Sequence, residues 1–189
     1  MTTKQVLRQE ALEKRKNLSP KTKRELDRKI FKNVINSKEF SNANLILTYL
    51  STSLEIDTKE IIDFALKQGK IVAIPRCNEE NELDFYKIDS LNGLSKTKIG
   101  ILEPIANPQN KIVNFTNSIC ITPGLLFDEF GYRVGYGRGF YDKFLAKYSQ
   151  KSIGLCYGEN SLRHLPRDEH DKPVDIIVTE SHAFYTIKN

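Results

Sequence analysis

Apolar positions along this 189-residue chain fall into alternating helical and strand-like patterns. Residues 4–16 read as a helix with Leu7, Ala11 and Leu12 on one side. Ser19 and Pro20 supply a cap and a first-turn proline for a second helix, whose Leu26, Ile30, Phe31 and Val34 form one stripe. Residues 45–50 are a short apolar run of the kind buried on both faces of a sheet. Asp57 or Thr58 caps the next helix, which buries Ile61, Ile62, Ala65 and Leu66 and ends at Gly69. Residues 71–75 are a second buried strand, expected to stop at Pro75, and residues 83–88 alternate like a strand with one exposed face. Further buried strands are expected at 118–123, 153–157 and 174–178, with a helix from Phe140 to about Tyr148. Residues 90–117, polar and irregular with Pro104 and Pro108, read as a long surface loop. Strands alternating with helices predict an α/β fold, a three-layer, Rossmann-like arrangement of a mostly parallel sheet with helices on both faces. One domain over 1–189 is expected, with basic helices 1–36 packed on its core.

The most informative stretch is 123–142, with five glycines, two arginines, three acids and no lysine. At its centre Gly135, Gly137 and Gly139 alternate with Tyr136 and Arg138, which lets the backbone take positive φ and press its N–H groups on an anion. A helix follows, so amides and a helix N-terminus converge where a phosphate could sit. A tight hairpin that uses glycine for geometry alone is the competing reading. In an α/β sheet, ligands collect at the carboxyl ends of strands, so the loops after Leu50, Pro75 and Pro123 should share one cleft.

Charge is uneven. The chain carries +5 overall, yet residues 1–33 hold eleven Lys and Arg against four Asp and Glu. That surplus suits a polyanionic ligand, a nucleic acid or simply a solvated helix face. Lys4 and Arg8, four apart, stack on one face and could clamp phosphates. Arg138 could neutralise charge on a transferring group, and Asp142 begins the helix beyond the loop. Asp175 interrupts an apolar run, where a carboxylate needs a partner or a metal; Asp142 and Asp175 are the expected Mg²⁺ ligands. Glu55 could accept the adjacent N–H donors of a pterin. His164, His170 and His182 lack metal spacing, no nucleophile triad stands out, and GxxxxGK[ST] is absent. Cys77, Cys120 and Cys156 are odd in number and widely spaced, as free thiols in a reducing compartment would be. With no apolar leader and no run of about 20 apolar residues, the expected compartment is the cytoplasm, without membrane attachment.

The 123–142 stretch resembles the signature of the 5-formyltetrahydrofolate cyclo-ligase (5,10-methenyltetrahydrofolate synthetase) family. Residues 4–8 are similar to that family's Lys-x-x-Leu-Arg, and Tyr49-Leu50-Ser51, Glu55-Ile56-Asp57-Thr58, Ile74-Pro75-Arg76 and 173–180 also fit, in order. The resemblance implies an ATP- and Mg²⁺-dependent cyclisation of 5-formyltetrahydrofolate to 5,10-methenyltetrahydrofolate through an N5-iminium phosphate, with ADP and phosphate released. Carried over by position, it implies that Lys4, Arg8, Arg133, Val134, Gly135, Tyr136, Gly137, Arg138, Gly139, Phe140 and Tyr141 hold ATP. It implies Leu50 and Glu55, together with Tyr136, Gly137, Arg138, Gly139 and Phe140, on the folate side, and Arg138 and Tyr141 nearest the chemistry. The resemblance implies a small-molecule substrate, extended by a polyglutamate tail in some forms, and the protein is expected to be a monomer that binds no nucleic acid. Phe140 departs from the tyrosine of many members, keeping the ring and losing the hydroxyl. Another ATP-dependent small-molecule kinase and a basic nucleic-acid-binding module are the alternatives.

Overall fold

The computed structural model describes residues 3–96, 102–162 and 164–188. In chain order the elements are α1 (Thr3–Asn17), α2 (Pro20–Ile35), α3 (Lys38–Asn42), β1 (Leu45–Thr48), α4 (Lys59–Lys67), β2 (Ile71–Cys77), β3 (Leu83–Ile88), β4 (Ser95–Lys96) and β5 (Leu102–Glu103). They continue with β6 (Ser118–Thr122), β7 (Leu126–Asp128), β8 (Arg133–Val134), α5 (Phe140–Lys147), β9 (Lys151–Leu155), β10 (Ser161–Leu162), β11 (Ile176–Val178) and β12 (Ala183–Tyr185). Seven strands form one sheet in the order β12-β11-β9-β6-β1-β2-β3. The middle five are parallel, and β3 and β12 close the edges antiparallel.

The period of two along each strand decides the layers. Ile46, Val72, Ile74, Ile119, Ile121, Ile153, Leu155, Ile176 and Val178 point to one face, where they meet Ile30 and Val34 of α2, Phe40 of α3 and Ile61, Ile62 and Ala65 of α4. Leu45, Leu47, Ala73 and Cys120 point to the other, against Phe144 and Tyr148 at α5. Farther along that face Phe127, Cys156, Val174 and Ile177 form a cluster of their own. Phe127 lies over Gly154 of β9, where a side chain would meet the Phe127 ring. The three-layer, mostly parallel α/β architecture therefore stands. None of its described helices is long and apolar enough to cross a membrane.

Three local expectations are revised. β2 does not stop at Pro75 but runs to Cys77, because β1 pairs with β2 no farther than Ala73 and the missing N–H deprives no neighbour there. Residues 90–117 are not wholly irregular: β4 pairs with β5, and Lys111 bridges to Tyr86 of β3. The span 97–101 within them lies outside the described residues. The 123–142 stretch is part hairpin and part loop, since β7 and β8 pair antiparallel and β10 adds to β7 as a small second sheet. Ala11 of α1 covers that sheet, packing with Leu125, Leu126, Val134 and Leu165.

Candidate active site

The turns leaving β1, β2 and β6 do share one cleft, of about 480 Å³, a size suited to a small-molecule ligand. Tyr49 and Leu50 follow β1, Ile74, Pro75 and Cys77 belong to β2, and Pro123 follows β6. Lys4 and Arg8 on α1 form one wall and residues 133–142 another. Every site residue expected from the sequence lines this cleft except Asp175.

The glycine loop has the anticipated backbone at two of three positions. Gly137 has φ 99° and Gly139 φ 68°, the latter capping α5 in the left-handed region; Gly135 has ordinary φ. Arg8 fastens α1 to this loop by donating from Nε to the Gly135 carbonyl at 2.7 Å. Its guanidinium lies so near Gly137 that a Cβ there would be 3.2 Å from Cζ. Lys4 sits between Asp168, at 2.6 Å, and Asp171. Burial alone would lower the Lys4 ammonium's pKa, but the hydrogen bonds and charges of these two carboxylates raise it.

Arg133 is buried and committed within the protein. It donates from Nη2 to Asp142 Oδ1 at 2.8 Å and from Nη1 to the Lys172 carbonyl at 2.7 Å. The Lys172 N–H donates to the same Asp142 oxygen at 3.1 Å. Arg138, in contrast, is exposed, makes no ion pair among the described residues, and has its guanidinium 6.0 Å from the Phe140 ring centre.

Glu55 sits on a turn locked by its own side chains. The Tyr49 hydroxyl donates to Ile56 O, Thr58 Oγ1 donates to Tyr49 O, and Ser51 Oγ donates to Asp57 Oδ1. Asp57 and Thr58 share the helix-capping position: Asp57 Oδ1 accepts from Lys59 N–H, while the Thr58 hydroxyl is turned back to the strand exit. The Thr52 N–H donates to Glu55 Oε2 at 2.8 Å. Burial first, and then the Glu55 charge, raise the pKa of the Tyr49 and Tyr136 hydroxyls, with Tyr136 pushed up to about 12. Burial likewise raises that of Tyr141, whose hydroxyl is buried without a hydrogen-bond partner among the described residues. An orphaned hydroxyl at a cleft wall is a donor awaiting an acceptor.

Asp175 is a correction. It precedes β11, level with the start of β9, and its carboxylate accepts from Ser152 N–H, Ser152 Oγ and Lys151 Nζ, each at 3.0 Å. The half-buried carboxylate has its partners inside the protein and, unlike Asp142, does not line the cleft. Among the cleft residues that composition and spacing missed are the charged Asp168 and Asp171. Their charged turn, 166–171, looks in sequence like any solvated loop, and only the fold brings it to Lys4.

The basic surplus of the first 33 residues is thus partly accounted for: Lys4 and Arg8 turn into the cleft, Arg15 is buried and Lys23 pairs with Asp27. Residues 1–180 match the sequence profile of the 5-formyltetrahydrofolate cyclo-ligase family. A 5-formyltetrahydrofolate cyclo-ligase of Haemophilus influenzae is 31% identical over 181 residues, 93% of this chain and 97% of its own. A probable 5-formyltetrahydrofolate cyclo-ligase of Schizosaccharomyces pombe is 31% identical over 79% of this chain and 81% of its own. The solved structure of 5,10-methenyltetrahydrofolate synthetase from Aquifex aeolicus superposes with a TM-score of 0.86 at 31% identity, covering 100% of this chain and 95% of that one. With a family-wide match over nearly its full length, the chain belongs to the 5-formyltetrahydrofolate cyclo-ligase family of enzymes.

Proposed function

We propose that this cleft closes the ring of 5-formyltetrahydrofolate at the expense of ATP, giving 5,10-methenyltetrahydrofolate, ADP and phosphate. The observation that carries the reading is the convergence of α1, the turn after β1 and the glycine loop, distant in sequence, on one cleft. In this reading the formyl oxygen attacks the γ-phosphorus and the bond to the ADP oxygen breaks, leaving an N5-iminium phosphate. N10 then attacks the former formyl carbon and the C–O bond breaks, phosphate carrying off the oxygen and the N10 proton. No step requires a protein nucleophile; the protein positions two substrates and stabilises charge.

Arg8, Lys4 and the amides of 135–139 are assigned to the triphosphate, with Arg138 over the transferring group. Glu55 is assigned to the amino-pyrimidinone edge of the pterin, and Leu50, Tyr136 and Phe140 to its ring. Tyr141 offers its unpartnered hydroxyl near the reacting atoms. Mg²⁺ fits this donor set only in a limited form. Among the described residues no group of three or more metal-ligating side chains exists. Asp142 keeps Oδ2 free of protein partners and lines the cleft. A single carboxylate suits an ion that arrives on the nucleotide with its waters, and the ion would supply charge neutralisation there.

The test is to incubate the purified protein with 5-formyltetrahydrofolate, ATP and Mg²⁺ and follow the near-ultraviolet absorbance of the methenyl product. A rise that needs all three components is expected. ATP turnover that leaves phosphate on the acceptor would instead mark a kinase on this scaffold.

A further inference from the structure

Arg15 is a guanidinium with no place in the chemistry above, yet it is 4% exposed. It lies two helical turns beyond Arg8 on α1, underneath the cleft and not in its wall. From Nη2 it donates to the Gly124 carbonyl at 2.6 Å and reaches Leu125 O at 3.5 Å; from Nη1 it donates to Leu54 O at 3.2 Å. Its Cζ is 5.4 Å from the Tyr157 ring centre, and the Tyr157 hydroxyl in turn donates to Asp27. Nε is buried without a partner, and no carboxylate pairs with Arg15 among the described residues. A permanently charged group buried without a counter-ion is strongly unfavourable unless its fork of donors is well used.

Its acceptors show what it holds together. Gly124 follows Pro123, at the exit of β6 where the chain turns toward the glycine loop, and Leu54 directly precedes Glu55. One planar fork therefore joins α1, the Glu55 turn and the β6 exit. Burial raises the pKa of the Tyr49 and Tyr136 hydroxyls, the Glu55 charge adds to the rise, and Arg15 opposes it at both, by its charge and at Tyr136 also by a hydrogen bond.

We infer that Arg15 is a positioning residue for the folate, fixing the Leu54 carbonyl, and with it the Glu55 carboxylate, against the β6 exit at Gly124. The inference rests on the reading of Glu55 as the pterin acceptor. Lysine cannot replace Arg15 in this role, because a single ammonium cannot bridge both carbonyls in fixed geometry.

The experiment measures KM for 5-formyltetrahydrofolate and for ATP in Arg15→Met, Arg15→Lys, Glu55→Gln and the Arg15→Met/Glu55→Gln double variant, with folding checked by circular dichroism. Arg15→Met should raise the folate KM about tenfold or more and leave the ATP KM within about twofold. In the Glu55→Gln background the same change should add less than about twofold, since the residue acts through Glu55. Should Arg15→Met not fold, Arg15→Lys carries the test, with the folate KM raised about threefold or more and ATP unaffected. A folate KM unchanged in a folded Arg15 variant while Glu55→Gln raises it, equal rises for both substrates, or additive effects in the double variant would each overturn the inference. An unchanged folate KM in Glu55→Gln would remove the pterin assignment itself, and this inference with it.

Discussion

Replacing Gly137 by alanine should separate the glycine loop's conformation from its contact with ligand. At φ 99° an L side chain is strained, by about 1–2 kcal/mol in the related left-handed region. The new Cβ would also lie 3.2 Å from Arg8 Cζ and 3.3 Å from Nη2, so the guanidinium must shift and its 2.7 Å bond to Gly135 O loosens. A charge-assisted hydrogen bond is worth about 1.5–3 kcal/mol, of which a partial loss adds roughly 1. The sum, about 2–3 kcal/mol, corresponds to ~30- to ~150-fold in kcat/KM for ATP. Gly139, at φ 68° in open space, carries strain alone, so Gly139→Ala should cost about 1 kcal/mol, or ~5-fold. Gly135 has neither positive φ nor a neighbour within 4 Å, and Gly135→Ala should stay within about twofold of wild type. The loop from Tyr136 to Gly139 is exposed and can relax part of the strain when no ligand is bound, so melting temperatures should fall by no more than a few degrees across the series. The assay is steady-state kinetics with ATP varied at saturating folate, alongside thermal melts. A Gly135 variant as impaired as the Gly137 one would refute the reasoning, because bare backbone presented to the ligand, and not the loop's own conformation, would then be what matters.

Arg138→Ala should lower kcat by at least about a hundredfold with an unchanged melting temperature, since the side chain is exposed and unpaired; near-wild-type turnover would remove it from the chemistry. Gly154→Ala places a Cβ 2.7 Å from Phe127 Cζ, and closer to Cε1, in the middle of the sheet. It should cost about 1–3 kcal/mol of stability, a melting shift of several degrees, with both KM values intact. Asp175→Asn should lower stability while leaving the Mg²⁺ titration of activity unchanged, the reverse of Asp142→Asn. Burial would raise the Asp175 pKa, but the bonds from Ser152 and Lys151 outweigh it and the net direction is down. The stability it contributes is therefore present above the unfolded carboxyl's pKa of about 3.9 and is lost as pH falls below it. The stability gap to the Asn variant, read from urea melts, should accordingly close in acid. Asp171→Asn should lower the ATP KM a few-fold, about 1 kcal/mol being typical of a partly exposed ion pair that competes for Lys4; a raised KM would show that the carboxylate presents Lys4 instead of withholding it.

What was readable in the sequence was local or periodic. The apolar runs at 45–50, 118–123 and 153–157 declare a sheet buried on both faces, because each alternate residue needs its own apolar layer. The glycine density of 123–142 pointed to a backbone with positive φ, which Gly131, Gly137 and Gly139 adopt. Pairings between distant segments were not readable. Nothing in the turn around Asp168 and Asp171 points to Lys4, more than 160 residues away. Asp175 misled for a related reason. A carboxylate inside an apolar run does need a partner, but sequence cannot tell whether the partner is a metal or, as here, Ser152 and Lys151 on the next strand. The β7–β8 hairpin hid inside the same glycine stretch because Gly131 serves a turn while Gly137 and Gly139 serve the loop.

The partition of the cleft's cations follows from those distant pairings, and it orders their roles. Arg133 is buried and held by Asp142 and a carbonyl, so it shapes the base of the loop and has little left to offer a phosphate. Lys4 is engaged by Asp168 and Asp171, and a triphosphate must compete with both for it. Arg8 spends one donor on Gly135 O, and among the described residues neither Arg8 nor Arg138 pairs with a carboxylate. The cations without an acidic partner are thus the ones next to the positive-φ glycines, where the backbone N–H groups are also free to turn toward an anion. Charge, backbone and helix N-terminus agree on one point in the cleft, and Asp142, Asp168 and Asp171 sit beside the cations that are already engaged. On this partition the cleft's uncompensated positive charge lies at Arg8 and Arg138, while that of Lys4 is shared with Asp168 and Asp171.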